Sequence, residues 1–256
     1  MLTGGSKAFL LAAGRGTRLR PITNTVPKCL VEIHGKPLLT YWIEICEELE
    51  ISEVLINTHH LAEAVQAWAH RQKSPVKIRL SHEPTLLGSA GTLAANAEFA
   101  GGADIVYIFY ADNLAQVNFS SLLRCHQSHA APLTIGLFRT QDPQQCGVVE
   151  LDDSGRVLSF EEKPAQPRSN LAFAGVAMAR REFFPWLPRG VFADLGKDVL
   201  PRLTGKMYGR ELEGRLLDIG TWENYCKAQQ DMSWAQTLTG SDGPISAAAA
   251  GKEPTT

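Results

Sequence analysis

The sequence predicts an α/β fold on a mainly parallel central sheet. Three observations carry this. Strand-length apolar runs alternate with helical patterns through the first half, and those runs are continuously apolar, as expected of strands covered on both faces. After residue 130, strand-length runs follow one another with turn signals and no room for helices between them.

The strand runs 7–14, 53–58, 76–83 and 105–112 each precede a helical pattern, at 37–50, 61–72, 89–100 and 119–130 respectively. LTIGLFRT, GVVELDD and VLSFEEK, punctuated by QDPQQCG and DDSG, are predicted as antiparallel strands added to the sheet. A strand at 171–179 comes next, then helices around Arg181–Leu187 and Lys197–Arg202. A strand at Arg215–Ile219 and a closing helix from Thr221 to about Trp234 complete the pattern. Tyr41 and Trp42, and the stripe Leu61, Val65, Trp68, fall at helical spacing and are expected in the core. Residues 236–256 lack apolar periodicity and are expected to form a disordered tail.

The chain has 256 residues, 44% hydrophobic and 20% charged, the make-up of a globular protein. Folding at this size buries roughly 70–75% of the unfolded surface, so no disulfide or structural metal is required. With 25 Lys+Arg against 27 Asp+Glu there is no global basic field, which disfavours nucleic acid and membrane surfaces and points to small-molecule partners. Five scattered cysteines without a C-x-x-C pair, no leader-like amino terminus and no long apolar run suggest reduced thiols and a cytoplasmic location. A homo-oligomer is compatible with all of this.

The first strand runs into Leu11-Ala12-Ala13-Gly14-Arg15-Gly16-Thr17-Arg18, with Arg20 and Lys28 close behind. Glycines let backbone N–H groups approach an oxyanion, and so many cations near a strand's carboxyl end call for an anionic ligand. The loop lacks the third glycine of a dinucleotide fingerprint and the Lys-Ser/Thr ending of a P-loop. It reads as a phosphate loop of another kind.

LAAGRGTRLRPITNTVPKCLVEIHGKPLL closely resembles the amino-terminal signature of the sugar-1-phosphate nucleotidyltransferases, and later motifs follow in the family's order over roughly residues 7–233. The resemblance implies a Rossmann-like nucleotidyltransferase fold, with a nucleotide-binding half to about residue 111 and a sugar-phosphate-binding half from 112 to 235. It implies that Arg18, Lys28 and Asp112 are catalytic, that the loop from Leu11 to Thr17 with Glu83 and Gly88 binds the nucleotide, and that Asp112 and Asp218 hold Mg²⁺. Gly147, Glu162, Lys163, Asn170 and Gly175 are the implied sugar-phosphate contacts. The chemistry suits these types. An anionic phosphate attacks a polyanion, so cations and positioning suffice, and Mg²⁺ is commonly held by one or two carboxylates plus substrate phosphates.

Other readings stay open at single residues. Glu83 reads either as an acceptor for the base or as a cap of the next turn; an Asp at a strand end reads as a cap or a metal ligand; and Glu162 competes with an exposed strand-end carboxylate. Phe173-Ala174-Gly175 stands where many relatives have Asn-x-Gly, leaving Asn170 three residues early, and Cys29 replaces a proline common after the lysine. No carboxyl-terminal β-helix of the kind some relatives carry is visible. His59-His60 reads as an ordinary loop, since a tandem pair cannot present both rings to one face of a strand.

Within the resemblance, LLGSAGTL and residues 197–225 look most like guanylyltransferases acting on mannose 1-phosphate, with uridylyl or thymidylyl transfer as the alternative. Two rivals come from other classes. A catalytically silent regulatory paralogue should have lost a metal carboxylate or a loop cation, and a glycosyltransferase should show Asp-x-Asp where this strand ends Asp112-Asn113-Leu114.

Overall fold

The computed structural model describes residues 5–235; the expected tail at 236–256 lies outside them. Chain order is β1 (Ser6–Leu11), a short pair β2 (Glu32–Ile33) and β3 (Lys36–Pro37), α1 (Leu38–Glu48), β4 (Ile51–Thr58), α2 (Ala62–Arg71), β5 (Lys77–His82), α3 (Gly88–Ala95) and β6 (Ile105–Tyr110). Then come β7 (Asn113–Asn118), α4 (Ser120–Gln127), β8 (Leu133–Arg139), β9 (Gly147–Leu151), β10 (Val157–Glu162), β11 (Leu171–Ala179), β12 (Met207–Glu211), β13 (Glu213–Asp218) and α5 (Trp222–Gln230).

Strands β5, β4, β1 and β6 lie side by side, all parallel. β11 runs antiparallel beside β6, β8 antiparallel beside β11, and β12 parallel beside β8, while the β9–β10 hairpin joins β11 near Ala172. The predicted α/β class with antiparallel additions describes this sheet.

Strand geometry sends successive side chains to opposite faces. Leu10, Ile56 and Phe109 therefore pack with Trp42, Trp68 and Leu122 on one face, while Phe9, Leu55 and Ile108 pack with Leu93, Phe183 and Leu203 on the other. Trp42 stacks on Phe109 at 4.8 Å, and each such side chain contributes roughly 1.5–3 kcal/mol by burial. Trp42 also donates from Nε1 to the carbonyl of Asn113 at 2.8 Å, so the packed core fixes the backbone next to Asp112.

Several elements differ from the sequence expectation. β7 and β12 are strands the pattern did not suggest, because Asn113, Gln116 and Asn118 interrupt one and Gly209, Arg210 and Glu211 weaken the other. Arg181–Trp186 is a 3-10 turn containing Pro185, and the helix expected at Lys197–Arg202 starts at Leu195 as a wide turn and tightens to 3-10 from Leu200 to Leu203. Leu61 sits ahead of α2 with φ 54°, off its buried stripe. The closing helix ends at Gln230, and its Thr221 side chain accepts from the Asn224 N–H at 3.3 Å.

Candidate active site

The glycine loop leaves β1 at the carboxyl edge of the parallel strands. Gly16 has φ 61°, and a Cβ there would lie 2.8 Å from the Thr23 methyl, so glycine is required by both backbone and space. Thr23 donates its hydroxyl to the Gly16 carbonyl at 2.7 Å, closing the loop on itself. No protein atom lies within 4 Å of where a Gly14 Cβ would be, and Arg15, Thr17 and Arg18 are exposed. Leu11 and Ala12 are engaged by the protein: the Leu11 carbonyl accepts from Ala111, and the Ala12 N–H donates to Asn57 Oδ1 at 2.7 Å. Ala13 is buried beside them.

β7 and β13 form a separate antiparallel ribbon in which Asn113 pairs with Asp218, and the Ile219 N–H donates to the Asp112 carbonyl at 3.1 Å. That ladder brings together two carboxylates remote in sequence. Lys28 donates from Nζ to Asp112 Oδ2 at 2.7 Å and to Asp218 Oδ1 at 3.4 Å, so those oxygens are no farther apart than the two contacts laid end to end. Arg18 lies 3.7 Å from the other oxygen of Asp218. A Cβ on Gly220 would fall 2.6 Å from Asp218 and 2.8 Å from Arg18, so a bare glycine there lets the pair close.

Exposure separates the two cations. The Lys28 side chain is 6% exposed and the Arg18 side chain 65%. The Lys28 ammonium is turned to the two carboxylates and bridges Asp112 and Asp218. Burial pushes the neighbouring Cys29 thiol up to about 12 and keeps it unreactive.

Glu83, expected either at the base or as a cap of the next turn, is engaged by the protein. Its carboxylate is buried, with Oε1 accepting from Asn57 Nδ2 at 2.8 Å and from the Thr92 hydroxyl at 2.5 Å, and Oε2 accepting from the Leu87 N–H at 3.0 Å. The bond to Leu87 holds the turn before α3. Gly88 has φ 78°, and a Cβ there would meet the Ala193 carbonyl at 2.3 Å. That carbonyl accepts from the N–H groups of Ala90 and Gly91, which ties the start of α3 to the segment before Asp194.

In the second half, Glu162 sits in a slot between two glycines, where a Cβ on Gly147 or Gly196 would approach its Oε2 to 2.8 or 2.5 Å. Burial, reinforced by Asp194, pushes its carboxyl above the ordinary range. Lys163 is exposed with φ 50°, a left-handed conformation that is uncommon for lysine, and its N–H donates to the Cys146 carbonyl at 2.9 Å. Gly175, at φ 68°, lies in the register shift of β11 against Tyr110 and Asn113. The exposed Asn170 accepts at Oδ1 from Arg139, which also pairs with Glu211 of β12.

A model of the nucleotidyl transferase family matches residues 7–234. The chain belongs to that family. It is 34% identical over 223 residues to mannose-1-phosphate guanylyltransferase catalytic subunit beta of Danio rerio, covering 84% of this chain and 61% of the relative. It is 32% identical over 242 residues to UTP–glucose-1-phosphate uridylyltransferase of Synechocystis, covering 87% and 62%. The chain thus spans about three fifths of the length of these relatives. Among solved structures, HddC from Yersinia pseudotuberculosis complexed with GMP-PN matches with TM-score 0.73 at 22% identity over 90% of this chain and 99% of that one, a likeness of fold. A Bacillus anthracis protein in complex with a sucrose matches with TM-score 0.78 at 22% identity, over 88% and 94%.

In this chain the donor set of Asp112 and Asp218 suits a hard cation. Asp112 and Asp218 supply convergent, partly exposed carboxylate oxygens, and among the described residues no group of three or more His, Cys, Asp or Glu competes as a metal site. His59 and His60 instead bond the carbonyls of Glu83 and Thr23. Sequence reasoning missed Asn57, Thr92 and Gly196. The only signal for Asn57 was a polar residue ending an apolar strand at the ligand edge of a parallel sheet.

Proposed function

We propose that the protein transfers a nucleoside monophosphate from a nucleoside triphosphate to a sugar 1-phosphate, releasing pyrophosphate, with guanine as the base and mannose 1-phosphate as the acceptor. The observation that carries this reading is the meeting of Asp112 and Asp218 on Lys28, beside the exposed Arg18 and the open glycine loop. The guanine and mannose assignment is supported by the Danio rerio relative, and the Synechocystis relative supports the uridylyl alternative. All four charged groups that a silent paralogue would have lost are present.

The reaction forms a bond from the sugar phosphate oxygen to the α-phosphorus as the bond to the bridging oxygen breaks, and pyrophosphate leaves with that electron pair. Arg18, solvent-facing, is assigned to the triphosphate and to charge developing on the leaving group, alongside backbone N–H groups around Gly14. Lys28 keeps the two carboxylates apart and aimed in the absence of substrate. Asp112 and Asp218 would hold Mg²⁺, which supplies charge neutralisation between the two phosphate groups. Lys163 would hold the incoming phosphate, and Glu162 would accept from sugar hydroxyls out of its glycine-lined slot. The nucleotide half is assigned to residues 1–111 and the sugar half to 112–235. A cytoplasmic setting fits these substrates, and no helix among the described residues is long and apolar enough to cross a membrane.

The test is a matrix of GTP, UTP, dTTP, CTP and ATP against mannose, glucose and related sugar 1-phosphates, scored by pyrophosphate release. The fastest release is expected with GTP and mannose 1-phosphate. A best rate with UTP or dTTP replaces the base assignment, and no release with any pair rejects the enzyme reading.

A further inference from the structure

Behind the glycine loop lies a buried polar chain with a fixed direction. Asn57 is the penultimate residue of β4 at 5% exposure, Glu83 follows β5 at 2%, and Thr92 lies in α3 at 0%. Glu83 as a carboxylate can only accept, so the Asn57 amide must turn Nδ2 toward it, leaving Oδ1 for the Ala12 N–H. Thr92 donates to Glu83 and accepts from Asn57 at 3.0 Å. At the far end Glu83 Oε2 holds the Leu87 N–H. A carboxylate this deeply buried has no cation among these partners; three donors satisfy it, and losing one leaves charge without compensation.

The chain of bonds therefore runs Leu87, Glu83, Asn57, Ala12: from the loop before Gly88 to the loop that faces the phosphates. We infer that Asn57 is a positioning residue that couples the base loop to the phosphate loop, so that a base seated correctly against residues 87–91 sets the register of Ala12–Gly14 for the triphosphate. This rests on the nucleotidyl-transfer reading above. Asn57 touches no reacting atom; it acts by relaying the position of Leu87 to Ala12. The relay predicts that damage at Asn57 appears in handling of the nucleotide and in discrimination among bases, while handling of the sugar phosphate is spared.

The measurement is KM and kcat for the best triphosphate and for the best sugar 1-phosphate, with the kcat/KM ratio between the best and second-best bases, in Asn57→Asp, Asn57→Ser, Glu83→Gln and the double variant N57D/E83Q. Asn57→Asp sets two carboxylates against each other, and Asn57→Ser is too short to bridge both neighbours. Each should raise the KM for triphosphate by about tenfold or more and flatten the base preference, with the KM for sugar phosphate within about twofold. The double variant reverses the polarity of the central bond: the amide introduced at position 83 donates to the carboxylate introduced at position 57 and still accepts from the Leu87 N–H, while that carboxylate still accepts from the Ala12 N–H. It should recover most of the lost triphosphate KM and base preference.

If Asn57→Asp does not fold, Asn57→Ser and the double variant carry the test. A fall in melting temperature with unchanged triphosphate KM and base ratio in the soluble variants overturns the inference. So does a folded double variant that recovers nothing. Wild-type protein that releases no pyrophosphate overturns the proposed function instead, and the two failures are told apart by that control.

Discussion

The cluster around Lys28 and the cluster around His126 lie at opposite ends of β6, and they are built on opposite terms. The first lies past the carboxyl end of β6, with the side chains of Asp112, Asp218 and Arg18 at 38%, 46% and 65% exposure. The second lies at the other end: β11 runs antiparallel to β6, so Arg180 emerges beyond Ala179, which pairs with Val106 near the start of β6. There Arg180 donates to the carbonyls of His126 and His129 at 2.6 and 2.9 Å, His126 bonds Thr134 at 2.7 Å, and His129 stacks on Tyr208 at 4.0 Å. Burial first, then Arg180 and His129, pushes His126 down to about 3 and keeps it neutral. The contrast teaches how to tell a working cluster from a structural one. The cluster proposed to work keeps three of its four charged groups partly in water, where a ligand could replace their partners. The structural cluster commits its one cation to backbone carbonyls and discharges its histidines.

The sharpest break of this contrast is at the carboxylates. Asp112→Asn or Asp218→Asn should cut kcat/KM by about a thousandfold, and chelation of divalent metal with EDTA should abolish turnover. Charge removal at Asp112 also leaves the buried Lys28 ammonium short of its nearer partner, so Asp112→Asn should lower the melting temperature by a few degrees. Relief of repulsion between the two acids does not offset this, because Lys28 already sits between them. Full activity in either variant, or in EDTA, removes the proposed metal site.

Next in size come the cations, which separate binding from scaffolding. Arg18→Ala should cost about 2–4 kcal/mol of transition-state stabilisation, roughly 30- to 1,000-fold in kcat/KM, with the fold intact. Lys28→Ala should cost a similar factor and also lower stability, since Asp112 and Asp218 then face each other without their shared cation. Equal melting temperatures in the two variants would show that Lys28 is not the scaffold its 6% exposure indicates.

The smallest effect belongs to the structural cluster and is read in acid. His126 is held far below its ordinary 6.5, so between pH 6.5 and about 3 the unfolded chain binds a proton that the folded one refuses. Its contribution is complete above 6.5 and is lost as pH falls, by about 1.4 kcal/mol per pH unit. His126→Gln, which can still reach Thr134, should flatten the fall in melting temperature between pH 7 and 5. His129, lowered for the same reasons, leaves a residual slope. An unchanged slope in the variant would mean that His126 takes up its proton in the folded state.

Much of the fold was legible because the parallel strands β1, β4 and β6 are apolar on both faces and their helices carry buried stripes, both local signals. β7 was not legible, since its polar residues look like a loop until β13 supplies a partner almost a hundred positions later. The glycine loop and the two acidic strand ends could be picked out from sequence. Which charges meet could not: Lys28 and Asp112 are 84 residues apart, and nothing local says that a lysine will turn inward. Glu83 shows the same limit, since a carboxylate facing a base and one accepting from Asn57, Thr92 and Leu87 have identical neighbours in sequence.

The β7–β13 ribbon also makes the two carboxylates depend on a single register. A slip of one residue in its register would turn Asp218 to the opposite side and leave Lys28 with Asp112 alone. Because β13 is the last strand of the described chain, a growing polypeptide can complete the glycine loop and much of the parallel sheet while its acidic pair is still half made. The acidic pair is thus a product of long-range pairing: a chain cut before β13 would keep the glycine loop and lose the second carboxylate.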